Sequence, residues 1–317
     1  MPGTYALAVA SLVLVAAAPP ALARPGPVVL PGAHLHPESV SITPDGTAWV
    51  SSMGGGILKA NLRTGKVTQF VAPGAFGSGA QFGILADRRH GIVWTCSNAF
   101  PAVLPSVAGA DPGHWLKGFD MRTGKGKVSL ALPGQKPVCN DMAVGPDGAL
   151  YVTDTGQPRI LRWVPGASAL AVWLEDPVLG ANGTGGGIDG IAFAADGSML
   201  VNNVRSGALF RVAMAGSKPG AVTQLTLSRP LANPDGMRPI AANAFILAEG
   251  AGKVSRLTLD GDKVTVTTLA EGIDQPTGVD VGLGQGWYVQ GQLSAIFRPG
   301  GARVELPFRL VPVSLKP

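Results

Sequence analysis

The feature that most constrains this chain is a hairpin that recurs along its length. Glu38 to Asp45-Gly46 leads into Thr47-Ala-Trp-Val-Ser, and Asn140 to Asp147-Gly148 leads into Ala149-Leu-Tyr-Val-Thr. Asp189 to Asp196-Gly197 precedes Ser198-Met-Leu-Val-Asn. Asp235 to Asn243 precedes Ala244-Phe-Ile-Leu-Ala, and Thr277 to Gly284 precedes Gln285-Gly-Trp-Tyr-Val. A degenerate copy, Gln81 to Asp87, precedes Ile92-Val-Trp-Thr. Each unit is a short alternating strand, a turn of the Asp-Gly type and a second strand rich in branched and aromatic residues. Asp-Gly suits that turn because its residues tolerate positive φ. Third strands follow at Gly56, Trp115, Arg159, Ala208, Lys253 and Ala295, and fourth strands such as Lys66 to Val71 and Lys263 to Thr268 complete most units. Four antiparallel strands repeated six times predict an all-β, six-bladed β-propeller. A sandwich has no need of the same hairpin at this period, and a β-helix has shorter, more regular coils. Gly26 to Leu30, ahead of the first repeat, is expected to add a strand to the last blade and close the ring.

Residues 1–23 stand outside the repeat. Ala6 to Ala18 is small and apolar, and Ala21-Leu22-Ala23 follows Pro19-Pro20. That pattern reads as a cleaved secretory signal, although no Lys or Arg precedes the apolar run. The expectation is an exported protein, periplasmic or secreted, with residues 24–317 forming a single domain. The run is too short to span a bilayer, and no later segment stays apolar long enough to do so. A net charge of +5 without a Lys/Arg cluster gives no footprint for nucleic acid. The two cysteines, Cys96 and Cys139, are too few for a disulfide scaffold and wrongly spaced for structural zinc. Export permits a disulfide between them, and two separate buried thiols are the alternative.

The register of the repeat points to a site. In a propeller the first strand of every blade lines the central channel, so equivalent positions meet around the axis. Counting back from each turn places Glu38, Ala80 with Gln81 beside it, Asn140, Asp189, Asp235 and Thr277 at one mouth. The returning second strands bring Cys96, Asp154, Asn203 and Glu249 to the same end. Carboxylates converging in a confined mouth repel one another and are costly to desolvate unless neutralised. A hard divalent cation on oxygen ligands answers both problems. Ca²⁺ suits a carboxylate and amide shell best, with Mn²⁺, Mg²⁺ and Zn²⁺ as alternatives. The competing account is that these residues cap strand starts and bond to water in the channel.

Across residues 35–300 the chain resembles the senescence-marker-protein (regucalcin)/gluconolactonase family of six-bladed propellers. The resemblance is carried by Pro37-Glu38-Ser-Val in blade 1, Asn140-Asp141 ahead of Pro146-Asp147-Gly148 in blade 3, and Pro234-Asp235-Gly236-Met237 in blade 5. It implies metal ligands at Glu38, Asp189 and Asp235, with Asn140 beside them contacting substrate or a metal-bound water. The chain departs from the family at blade 4, where Ile188-Asp189-Gly190 stands in place of the usual Asn-Gly. That change adds a negative charge and leaves the particular activity open.

The chemistry implied by the resemblance is hydrolysis of a lactone or related ester. A cation would polarise the carbonyl, Asp235 would take a proton from the attacking water, and Asn140 would orient the carbonyl or the water. The sequence has no G-x-S-x-G elbow, and neither cysteine adjoins a His, so no covalent intermediate is expected. Gln81, Asp141, His114 and Arg238 are the candidate substrate contacts. The segment Ala99 to His114, with Pro101, Pro105 and Pro112, is a long connection expected to fold over the mouth. His34 and His36 lie just ahead of Glu38, and a His at the mouth could replace Asp235 as base. The expected partner is a small molecule, a lactone or ester, and a monomer is the default. The alternatives are a non-catalytic propeller with a structural Ca²⁺ and another ester- or phosphotriester-cleaving enzyme on the same scaffold.

Overall fold

Every repeat contributes a four-stranded antiparallel sheet in the computed structural model, giving six blades around one axis, and in blade 5 the short strand Thr226–Leu227 adds a fifth, parallel strand at the outer edge. The structure describes residues 1, 3, 24–100, 104, 106–181, 185–297 and 303–316. Apart from Met1 and Gly3, the expected signal segment lies outside the described residues, as do two of the insertion's prolines, Pro101 and Pro105. The inner strands are Pro37–Ile42, Ala80–Asp87, Cys139–Val144, Ile188–Phe193, Pro234–Ala241 and Pro276–Gly282. The hairpin turns use the backbone that Asp-Gly licenses, with φ of 84° at Gly46 and 79° at Gly148. Among the described residues no helix is long and apolar enough to cross a membrane.

The ring closes as the sequence predicts: Val28–Leu30 pairs antiparallel with Phe308–Val313, setting Val28 opposite Leu310 and Leu30 opposite Phe308. The third strand of blade 6 differs from the expectation at Ala295. Ser294–Phe297 is a single helical turn, and the strand is Phe308–Val313 instead. The reason is burial at alternate positions: Phe308 and Leu310 are fully buried against Trp287, and Ser294–Phe297 has no such alternating pattern.

The core is distributed. Six apolar clusters each fill one blade–blade interface, such as Trp94 and Cys96 of blade 2 with Met142 and Val152 of blade 3. No blade buries its faces without both neighbours, so the ring is the unit of stability. Cys96 and Cys139 are joined as a disulfide between blades 2 and 3, with a Cα–Cα distance of 5.1 Å. The side chain of Asn98 reinforces the same seam. It donates to the Cys139 carbonyl at 2.8 Å and accepts from the Cys139 N–H at 3.2 Å.

Around the axis the inner strands approach closely, and glycine one residue past the mouth makes this possible. A Cβ at Gly190 would lie 2.3 Å from the Asp235 carbonyl oxygen, and one at Gly83 would lie 2.2 Å from that of Asn140. The Asp-Gly pairs at 189–190 and 235–236 therefore combine a side chain at the mouth with a gap for the next strand.

Candidate active site

All six inner strands carry a register shift at the same place, spanning the mouth residue and ending at the first apolar core residue. Aligning on those core residues, Val40, Ile84, Met142, Ile191, Met237 and Val279, defines the ring at the mouth. It consists of Glu38, Phe82, Asn140, Asp189, Asp235 and Thr277. Five of the six positions are those the sequence gives. Blade 2 differs, because Gln81 pairs with Ser97 at the level where Cys139 pairs with Asp154, leaving Phe82 at the ring. The inner strand there is eight residues long, and Asp87 ends it rather than forming its turn. Counting from Asp87 therefore slips the blade. Asp87 instead accepts hydrogen bonds from the backbone N–H of His90 and the indole of Trp94.

Second-strand side chains hold the ring from behind. Thr153 donates to the Asp189 carbonyl at 2.7 Å, and Asn202 donates to the Asp235 carbonyl at 2.6 Å. The Asn140 amide donates to Asp189 Oδ2 at 2.7 Å and to the Thr155 hydroxyl at 2.8 Å, which in turn donates to the Ile188 carbonyl. Asn140 thus links blades 3 and 4. Thr155 was not foreseen; its only signal in the sequence is a hydroxyl just after the second strand.

Glu38 and Asp189 are buried, and Asp235 keeps partial access to solvent. Burial holds all three carboxyls well above their ordinary range, and mutual repulsion adds to it. Glu38 feels Asp189 and Asp141, Asp189 feels Asp235 and Asp141, and Asp235 feels Glu38 and Asp141. Glu38 Oε2 and Asp189 Oδ1 are buried with no N–H or hydroxyl donor, and the Asp189 and Asp235 carboxyls lie within hydrogen-bond reach of each other. Oxygen donors of this kind, short of positive charge, fit a hard cation. As folded they are not a closed shell: among the described residues no three His, Cys, Asp or Glu side chains are grouped as ligands of one ion.

Below the ring, Asp141 and Arg238 meet across the channel. The guanidinium grips the carboxylate through two bonds of 2.7 and 2.9 Å, from residues 97 apart in sequence. Asp141 also accepts from the Ile191 N–H at 3.3 Å, and Arg238 donates to the Met237 and Ile84 carbonyls. Burial pulls the Arg238 pKa down, but the Asp141 carboxylate more than compensates and the net shift is upward. Asp280 completes this layer, accepting from the N–H groups of Ile42 and Val281. Its carboxyl is pushed up to about 6, chiefly by burial.

The other candidates are more scattered. Gln81 is completely buried with both amide atoms unpartnered. His114 bonds the Asn98 side chain through Nδ1 and packs on Phe100 at the edge of blade 2. Asp154 and Glu249 are at the mouth end but are tied to Arg159 and Arg229, so they brace loops. His36 donates through Nδ1 to the Gly291 carbonyl at 2.9 Å, and burial lowers its pKa. The described residues of the insertion, which joins the second and third strands of blade 2, reach the mouth face. Val107 packs against Gly55, and Leu104, Ser106 and Val107 separate two cavities of about 630 and 230 Å³.

No family model and no curated protein matches the chain. Its fold is nevertheless shared with solved structures. A gluconolactonase from Xanthomonas campestris is 15% identical, with a TM-score of 0.61 over 91% of this chain and 95% of its own. A luciferin-regenerating enzyme is 12% identical, with a TM-score of 0.65 over 91% and 95%. An aldose sugar dehydrogenase from Streptomyces coelicolor, solved with PQQ bound, is 17% identical, with a TM-score of 0.59 over 93% and 99%. Gluconolactonase-like propellers are thus among its structural neighbours, at an identity that speaks to fold alone.

Proposed function

We propose that the chain is an exported, metal-dependent hydrolase that opens lactones or related small esters at this mouth. The observation that carries the reading is the pair of buried, unpartnered oxygens, Glu38 Oε2 and Asp189 Oδ1, in a ring that also holds Asp235 and Asn140. Buried carboxylates short of positive charge are a standing electrostatic demand, and a cation-assisted reaction uses it. Glu38, Asp189 and Asp235, with Asn140 beside them, would hold the ion, Ca²⁺ by donor type. When bound, it supplies Lewis-acid polarisation of the ester carbonyl.

The chain's own residues do the rest. Asp235 has access to solvent and is the carboxylate placed to accept a proton from an attacking water. Asn140, anchored on Thr155 and Asp189, fixes the side of the mouth on which substrate is oriented. The disulfide supports export, since such bonds persist in oxidising compartments.

The test is metal content of the purified protein beside Asp235→Ala, with a lactone panel assayed before and after chelation. Stoichiometric Ca²⁺ that the variant loses, with chelator-sensitive hydrolysis reduced at least 10²-fold in the variant, is the expected result. Bound metal without turnover would favour a structural ion. A wild-type protein that takes up no ion when Ca²⁺ is supplied would remove the site.

A further inference from the structure

The ring has two unlike sides. Blades 1, 3, 4 and 5 present Glu38, Asn140, Asp189 and Asp235, whereas blade 2 presents Phe82 at the same register. Phe82 is partly exposed and packs against Phe100, at a centroid distance of 5.7 Å and an angle of 38°. Phe100 in turn lies 5.0 Å from the His114 ring, so an aromatic file runs from the ring into the insertion. Beside it are the two mouth-face cavities. The larger is lined by Met53, Leu104, Val107 and Ile296 among others, with His34, His36 and Ser106 as its polar members. The smaller includes Phe100.

We infer that the substrate carries an apolar substituent, its ester carbonyl on the carboxylate side of the mouth and its substituent on Phe82 and Phe100. This rests on the hydrolase reading above and narrows its substrate class. A polyhydroxylated sugar lactone needs hydrogen-bond partners all around, and a phenyl ring at one of six ring positions leaves its hydroxyls unpaired on that side. An alkyl or aryl group has the opposite requirement. It gains by leaving water for an aromatic wall, by about fourfold in affinity for each methylene seated. The smaller cavity, which Phe100 lines, and the larger one on the far side of Leu104, Ser106 and Val107 give such a group room.

The experiment compares three lactones on the Ca²⁺-supplied protein: unsubstituted γ-butyrolactone, γ-decalactone with its six-carbon tail, and glucono-δ-lactone. The expected kcat/KM is at least 10²-fold higher for decalactone than for butyrolactone, with gluconolactone the poorest. In Phe82→Asn and in Phe100→Ala the decalactone-to-butyrolactone ratio should fall about tenfold. Phe100 lies outside the inner strands, so its variant tests the wall even if Phe82→Asn folds poorly. Preference for gluconolactone, or an unchanged ratio in both variants, would overturn the inference. Cleavage of none of the three would overturn the hydrolase reading. The wall is then judged by calorimetric binding of decalactone against gluconolactone. Tighter decalactone binding that weakens in Phe100→Ala supports it, and equal or absent binding refutes it.

Discussion

Asp141 and Asp189 sit in neighbouring blades, one register step apart, and their surroundings could hardly differ more. Both oxygens of Asp141 are bonded, to the Arg238 fork and the Ile191 N–H. Asp280, in the same layer, has both oxygens on backbone N–H groups. One oxygen of Asp189 is bonded to Asn140, and the other is buried with nothing to accept from, as is one oxygen of Glu38. A folded chain seldom leaves buried carboxylate oxygens unmatched, because each costs on the order of 1–3 kcal/mol or more. The lower layer is complete within the chain, tying blades 2, 3, 4 and 5 through one ion pair. The upper layer leaves two oxygens unmatched, which is where the proposed cation would sit. That difference separates the residues that hold the channel shut from those the proposed reaction would use.

The sharpest way to break this division is to cut the lower layer. Arg238→Ala leaves the Asp141 charge buried and uncompensated, as Asp141→Ala leaves that of Arg238. Each should cost about 3–5 kcal/mol, read as a lowered denaturation midpoint. The double variant Asp141→Leu/Arg238→Met should recover most of the loss, since no charge is then stranded. If the single variants were within 0.5 kcal/mol of wild type, the latch would not be structural and the comparison would fail.

How far the sequence discloses these two layers follows from what each depends on. The blades are legible because the Asp-Gly turn and the strand after it are local patterns, repeated at Gly46, Gly148 and Gly197. Glu38, Asn140 and Asp189 are legible because each precedes the Asp of an Asp-Gly turn by the same number of residues, and Asp235 and Thr277 because the hairpins that follow them align with the others. Blade 2 misleads because Asp87 looks like a turn residue but caps a longer strand, hiding Phe82 behind Gln81. The third strand of blade 6 misleads because Ala295-Ile-Phe is apolar without alternating burial. The Asp141–Arg238 pair is invisible in sequence, since it exists only once the ring closes and brings residues 97 apart across the axis. Arg238 therefore reads as a candidate substrate contact and folds as the partner of Asp141.

A smaller effect, in pH, tests whether the lower layer is satisfied at a cost. Burial raises the Asp280 carboxyl from 3.8 to about 6 in the folded chain. The folded state then binds this proton more tightly than the unfolded one. The associated stability is fully present below pH 3.8 and is lost as pH rises through 6. A shift of that size corresponds to roughly 3 kcal/mol at most. Urea unfolding between pH 3.5 and 7.5 should show Asp280→Asn gaining on wild type over that window, whatever fixed cost the amide brings. A gap between the two proteins that does not change with pH would show that folding leaves the Asp280 pKa unshifted.

The smallest expected effect decides what the upper layer is for. Asp189→Asn removes one of several repelling charges while an amide oxygen can still accept from Asn140. In chelator the variant should therefore match wild type or exceed it by up to about 1 kcal/mol, unlike any change at Asp141. Ca²⁺ should then reverse the order. At a hundred times its Kd the ion adds about 2.7 kcal/mol to a protein that binds it only when folded, and a variant lacking a ligand forfeits most of that. A crossover between chelator and Ca²⁺ would mark Asp189 as a residue whose repulsion is retained for a cation. Destabilisation of the variant in both conditions would instead place Asp189 with Asp141, as part of the frame, and the two layers would be one.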